Sequence, residues 1–270
     1  SVRTIRLLRA LFVVGWKEAL AYRTELFVWI LATTMPLVML VLWRAVTEEK
    51  ALIGADGIPF GGQKVVAYFL ATFLIRQLCG SWAAWQINQE IKDGTLALRL
   101  LRPVHPFLPW ATEQLAYVPL RGAVALAGAG TALAVYARAE LTTHVVVLAA
   151  LPVSIFLAFI CTFSLNLIFG SLAFWTNQST KIMDAYNAIF FVFSGYLIPV
   201  TLFPRHLAEA LDYLPFRYQL GVPVELLVSG YDGKTAWLLV AKQAVFAALL
   251  LAGAFAAFHR GLRRFEAVGG

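Results

Sequence analysis

Residues 65–85 read "VVAYFLATFLIRQLCGSWAAW", and residues 89–106 follow almost at once as "QEIKDGTLALRLLRPVHP". A helix rises 1.5 Å per residue, so about 20 apolar residues cross the ~30 Å hydrocarbon core of a bilayer. The first stretch meets that length and the second stops it, with Glu90, Lys92, Asp93, Arg99 and Arg102 inside 13 positions. The pair therefore reads as a membrane crossing that ends in a compact charged turn. Working outward, comparable apolar runs occupy residues 26–46, 108–136, 145–175, 185–200 and 236–258. The first contains Pro36, which a membrane helix tolerates. The run from 145 is longer than a crossing requires, so it tilts, bends or protrudes. The run from 185 is short and ends at Pro199.

Composition agrees. The chain is 60% hydrophobic and only 14% charged, whereas soluble domains carry about a quarter charged residues. The net charge of +7 does not mark a nucleic-acid binder, because the cations sit at the ends of apolar runs rather than in one patch. Cys79 and Cys161 both lie within apolar runs, which suggests neither a disulfide framework nor a zinc site. His105, His144, His206 and His259 are scattered without metal-ligand spacing. "SGYDGKT" ends like a phosphate-binding loop at Gly233-Lys234-Thr235, but position 228, where the pattern needs glycine, is Val228.

The fold class is an all-α membrane protein of six crossings, organised as one transmembrane domain. Residues 1–25 form an interfacial helix, 26–86 the first two spans, 87–107 a cytoplasmic segment and 108–200 spans three to five. Residues 201–234 form an outer region, 235–258 the sixth span and 259–270 a tail. At the start, Ile5, Leu8, Phe12, Trp16 and Leu20 recur at helical spacing, with Arg6, Arg9 and Lys17 elsewhere around the helix, as in a helix lying flat in the interface. No cleavage site for a signal peptide follows. Lys and Arg are denser in the termini and the segments after the second and fourth runs, which places both termini inside. Residues 195–234 are proline-punctuated at Pro199, Pro204, Pro215 and Pro223 and too broken to cross once. Either re-entrant half-helices or a surface loop would account for them. Ala244, Ala248, Ala252 and Ala256 line one face of the last span, a geometry that lets helix backbones approach closely.

Ionisable groups within the runs are candidate substrate contacts. Arg76, Arg121 and Lys242 each cost about 3 kcal/mol or more at mid-bilayer unless paired or hydrated. They attract an anionic headgroup along a transport path, or pair with Glu113, Asp184, Glu225 or freed backbone carbonyls. Phe190, Phe193 and Tyr196, within "FFVFSGY", line an outer gate or face lipid. The tryptophans, Trp110 and Trp82 among them, mostly fall near span ends, where interfacial belts form.

The charged residues, glycine, leucine-rich turn and "LLRPVHP" after the second of six spans resemble the permease subunits of ABC type-2 exporters, and in particular the six-span group of bacterial drug and viologen exporters. "FSGYLIPVTLFP", "LPFRYQLGVPVELLVSG" and the tail "GLRRFEAVGG" are similar to the corresponding regions of that group. The resemblance implies a multidrug-type permease of the bacterial inner membrane, paired with an identical or homologous second permease and with two copies of an ABC-type ATPase. ATP and magnesium would sit on that partner; no cofactor, metal or catalytic residue is implied for this chain, and lipids are its other contact. It also implies that Glu90, Ile91, Lys92, Asp93, Gly94, Leu98, Arg99, Arg102 and Pro103 form the ATPase-coupling surface, with the helix around residues 9–22 as a second contact. A self-contained secondary transporter and a lipid-organising membrane protein are the alternatives; against the former, the halves show no inverted repeat or intramembrane carboxylate pair.

Overall fold

A computed structural model describes residues 9–10, 12–17, 28, 30–55 and 57–265. Ile5, Leu8 and Leu20 of the expected interfacial helix, Trp29 and the end of the tail lie outside these residues. Of that helix, residues 12–17 are helical, with Phe12, Val13 and Val14 exposed and Trp16 half-buried.

The described chain is almost entirely helical. It runs through α1 (Met35–Val46), α2 (Gln63–Cys79), α3 (Ala83–Lys92), α4 (Leu96–Leu100), α5 (Phe107–Ala116), α6 (Val118–Ala125), α7 (Thr131–Tyr136), α8 (Val145–Ser171), α9 (Ser179–Phe193), α10 (Arg205–Leu211), α11 (Phe216–Gln219), α12 (Gly221–Val228) and α13 (Gly233–Leu262). A two-stranded antiparallel hairpin, Leu52–Ile53 with Pro59–Phe60, follows α1. Four helical segments are long and apolar enough to cross a membrane: Gln63–Lys92, Phe107–Tyr136, Val145–Phe174 and Gly233–Leu262. At 30 residues each is about 45 Å long, well beyond the ~30 Å needed.

The first and fifth runs behave differently. The described part of the first is the shorter apolar helix Ile30–Val46. The fifth is α9, whose 15 residues reach about 22 Å. It starts six residues before its apolar run and stops at a tight turn through Ser194, Gly195 and Tyr196. That turn requires glycine. Gly195 has φ +90°, and a Cβ there would overlap the hydroxyl of Tyr68, which donates 2.8 Å to the Gly195 carbonyl.

The second run is not one helix. α2 ends at Cys79, Gly80 is extended, and α3 begins at Ala83. The break lies inside the apolar stretch, so its freed backbone groups need protein partners. Trp82 N–H donates to Gln114 Oε1 (3.1 Å), Ala84 N–H to Asn166 Oδ1 (3.1 Å), and the Gly80 carbonyl accepts from Arg121 (3.4 Å). The third run is also interrupted, at Tyr117 before Pro119 and by a π-helical turn at Leu126–Gly130. α8 stays continuous through Pro152.

Packing follows polarity. The α2–α3 segment is the least apolar of the four and the most buried, whereas the other three expose most of their most apolar stretch. Its polar side chains find protein partners in the centre, and the apolar surfaces of the others remain outside. α8 packs along α13 and against α3, α12 and α2. Gln243 of α13 fastens it, donating to the Ser154 and Tyr218 carbonyls (3.1 and 2.8 Å) and accepting from the Ser154 hydroxyl (2.8 Å). Ala244, Ala248, Ala252 and Ala256 are all exposed. The small-residue face therefore does not pack within this chain. α12, by contrast, is buried over nearly its whole length between α2 and α8, so the proline-punctuated region is no plain surface loop.

Segments expected on the same side of the membrane meet. Ala55 N–H donates to the Thr201 carbonyl (2.6 Å) and Thr142 N–H to that of Leu227 (2.9 Å), joining three loops at one end. At the other end Lys92 donates to the Asn177 carbonyl (3.2 Å), and the His105 and His259 rings stack at 5.6 Å.

Candidate functional site

Two places collect the candidate residues. The first is the turn between α3 and α5. Lys92 ends α3, Gly94 takes φ +73°, and the single turn of α4 runs back to Arg102 and Pro103. Leu96 is fully buried and Ile91 nearly so, so α4 is anchored by one side. Arg99 is the clasp. Its Nη2 and Nε meet the two oxygens of Glu90 (2.6 and 2.9 Å) and its Nη1 meets Glu113 (2.9 Å). Trp110 donates its indole N–H to Glu90 (3.2 Å) while Arg99 lies over its ring at 5.3 Å. Gln86 donates to both carboxylates (3.1 and 2.8 Å). Burial alone would lower the Arg99 pKa, but hydrogen bonds to Glu90 and Glu113 reverse this and raise it.

Glu90 and Arg99, expected together at a coupling surface, are thus turned inward. An arginine fork that finds two carboxylates and an indole in its own chain gains more there than in water. Trp110, expected in an interfacial belt, is fully buried. The outward side carries Lys92, Asp93, Leu98, Arg102 and Pro103, all exposed, with Leu101 82% and Leu98 67% exposed. Leu96, Leu98, Leu100 and Leu101 form one apolar set in the sequence, but on a single turn they cannot all face the interior, and only Leu96 is buried. The exposed patch is therefore apolar at its centre and charged at its rim.

The second place is the break after α2, which borders a cavity of about 150 Å³. Arg76, Phe190 and Tyr196 line it. Arg76 is 7% exposed, held between the rings of Trp82 (5.6 Å) and Phe190 (5.4 Å). Tyr196 donates to the Thr33 carbonyl (3.2 Å). Arg121 stands on Trp82 at 4.9 Å and does not line the cavity. Lys242 and Phe193 are elsewhere: Lys242 reaches Asp212 (3.4 Å), and Phe193 packs on Phe203 and Phe216. Of the expected partners, a freed carbonyl does serve Arg121, which donates to Gly80 (3.4 Å), but the carboxylates lie elsewhere. Glu113 holds Arg99, Glu225 holds Arg217 (2.6 Å), and Asp184 is exposed. Sequence reasoning missed Trp82, Asn166 and Gln219 as lining residues; the signal was Gly80-Ser81 inside an apolar run, a pair that marks kinks.

Other features resolve as structure. Gly233-Lys234-Thr235 is the first turn of α13, where Asp232 accepts from the Thr235 N–H (3.3 Å). The carboxyl pKa of Asp232 is lowered, first by the Thr235 side chain and further by the backbone N–H groups of the helix start. Cys79 and Cys161 are buried free thiols. Among the described residues, no group of three or more potential metal ligands gathers.

The family model for an ABC-2 family transporter protein matches residues 33–269. No curated protein matches the chain. The matched residues include the broken second segment, the α3–α5 turn, the buried α12 and all the cavity-lining residues except Ala32. Together with the four helices of membrane-spanning length among the described residues, the match makes this multi-pass membrane protein a member of the ABC-2 transporter family.

Proposed function

We propose that this chain is the permease subunit of an ATP-driven exporter, moving an amphiphilic or hydrophobic substrate such as a drug or lipid out of the cytoplasm. Family membership implies partnership with an ABC-type ATPase, which binds ATP and magnesium; two copies of it serve two permeases, identical or homologous. The setting is the bacterial inner membrane, crossed six times with both termini cytoplasmic. In this reading α9 and the Ser194–Tyr196 turn complete the fifth crossing, and α10 to α12 form the re-entrant outer region. The exposed stripe Ala244, Ala248, Ala252 and Ala256 is the face a second permease would meet.

One observation carries the coupling role. α4 is braced from behind by Glu90, Arg99 and Glu113 and offers Leu98 and Leu101 outward. Exposed leucines on a rigid turn are costly in water and useful against a partner groove. Because α3 and α5 are both tied to the clasp, a push on α4 reaches both segments at once. Lys92, Asp93, Gly94, Arg102 and Pro103 complete the contact, while Glu90, Ile91 and Arg99 act by holding it. Residues 9–22 provide a second contact. Substrate passes between the permeases and along the Arg76, Phe190 and Tyr196 cavity, with Arg121 behind it; Phe193 and Lys242 flank the outer end. Purification of the chain from native membranes should bring down an ABC-type ATPase whose activity rises in the complex. Transport by the purified chain alone would overturn the proposal.

A further inference from the structure

The cavity beside the helix break holds a cation that nothing in the described chain neutralises. Arg76 is buried, its Nε is within reach of no acceptor, and no described carboxylate pairs with it. The ring faces of Trp82 and Phe190 stabilise its charge but accept none of its in-plane donors. Arg121, likewise without a carboxylate, donates to the Gly80 carbonyl but keeps a buried unpartnered Nε; it lies over the same indole and adds a second positive charge. The other polar groups of the wall are neutral, Thr33, Ser81, Thr162, Asn166, Asn187 and Gln219 among them, and they alternate with apolar side chains such as Trp85, Leu165 and Phe191. Thr162 Oγ1 is also buried without a partner, a hydroxyl free to donate.

We infer that this cavity binds one anionic headgroup, a phosphate or carboxylate, held by Arg76 with hydroxyl and amide donors around it. The inference rests on the permease reading only in placing the cavity within the membrane. Size fixes the class. Sites for whole drug-sized ligands occupy about 300–1,000 Å³, and this one offers about 150 Å³, room for a headgroup but not for its apolar body. Charge fixes the sign. In a low-dielectric site two uncompensated guanidinium groups attract an anion and repel a permanent cation. The substrate or resident lipid admitted here is therefore an anionic amphiphile, and a viologen-like dication is not.

The test uses the full chain purified in a maltoside detergent, without any ATPase, and reads thermal unfolding against dodecyl phosphate. Wild type should be stabilised saturably, and dodecyltrimethylammonium should give no such shift. Arg76→Gln should raise the unliganded midpoint, because an unpaired buried charge is removed, and should weaken dodecyl phosphate at least about tenfold. Arg138→Gln, at an exposed position, should bind as wild type does. Asn166→Asp supplies an internal anion to the cavity wall and should likewise abolish the response, an outcome that misfolding of the Arg76 variant could not mimic. Phosphatidylglycerol acting where inorganic phosphate does not would identify a lipid or amphiphile headgroup. Equal action by inorganic phosphate would identify a free anion, and either supports the site. No phosphate-dependent shift in wild type, or a shift that survives both Arg76→Gln and Asn166→Asp, overturns the inference. Neither result bears on ATPase partnership, so the two proposals fail independently.

Discussion

Arg99 grips both oxygens of Glu90, at 2.6 and 2.9 Å, across a turn that reverses the chain between α3 and α5. Their side chains are 13% and 16% exposed, so the pair is neither a solvated surface contact nor a fully dehydrated one. Arg99→Ala leaves Glu90 and Glu113 as neighbouring carboxylates sharing Gln86, and should cost about 2–3 kcal/mol in detergent unfolding. Adding Glu113→Gln should recover part of that loss, since it removes the like-charge repulsion. Arg99→Lys should not substitute, because an ammonium cannot fork between two carboxylates.

Leu98 and Leu101 touch little of this chain. Leu98→Asp with Leu101→Asp should change stability by less than about 0.5 kcal/mol while abolishing co-purification of the ATPase. Leu96→Ala, at a fully buried position, should show the opposite pattern and destabilise by about 2–5 kcal/mol. If the double variant still retains its ATPase and its stimulation, the outward face of α4 is not the docking surface.

His105 links the α5 turn to the end of α13 through stacked contact with His259 and edge contact with Phe107 and Phe258. Burial, and secondarily His259, lowers its pKa below the usual 6.5. The unfolded chain therefore takes up this proton first as pH falls. Stability from this contact is complete above about pH 6.5 and is lost as pH drops through the folded-state value. Unfolding midpoints measured from pH 7.5 to 5 should decline in wild type and decline less in His105→Phe.

Gly195 is fixed by two neighbours, its own φ of +90° and the Tyr68 hydroxyl. Gly195→Ala should cost about 1–3 kcal/mol. Tyr68→Phe should relieve part of the steric component, so the double variant should be less destabilised than the two single losses added together. Strict additivity would place the strain in the backbone alone.

Much of the molecule was legible from the chain. Apolar run lengths located four long segments because hydrocarbon thickness sets a length that sequence must meet, and charge at the run ends marked the turns between them. Gly94 and the leucines around it marked the α3–α5 turn, since only glycine enters left-handed backbone at no steric cost. Tertiary structure decided which charges face inward. Arg99 and Arg102 look alike in sequence, yet one is clasped by Glu90, Glu113 and Trp110 and the other is exposed, because partners 9 and 14 residues away along the chain are brought together only when α3 meets α5. It likewise decided that Arg76 lines a cavity while Lys242 pairs with Asp212, and that the alanine stripe of α13 faces away from its own chain. Length and hydropathy are summed along the backbone and need no neighbours; burial of a charge depends on which side chains converge from distant helices, and no local stretch contains that information.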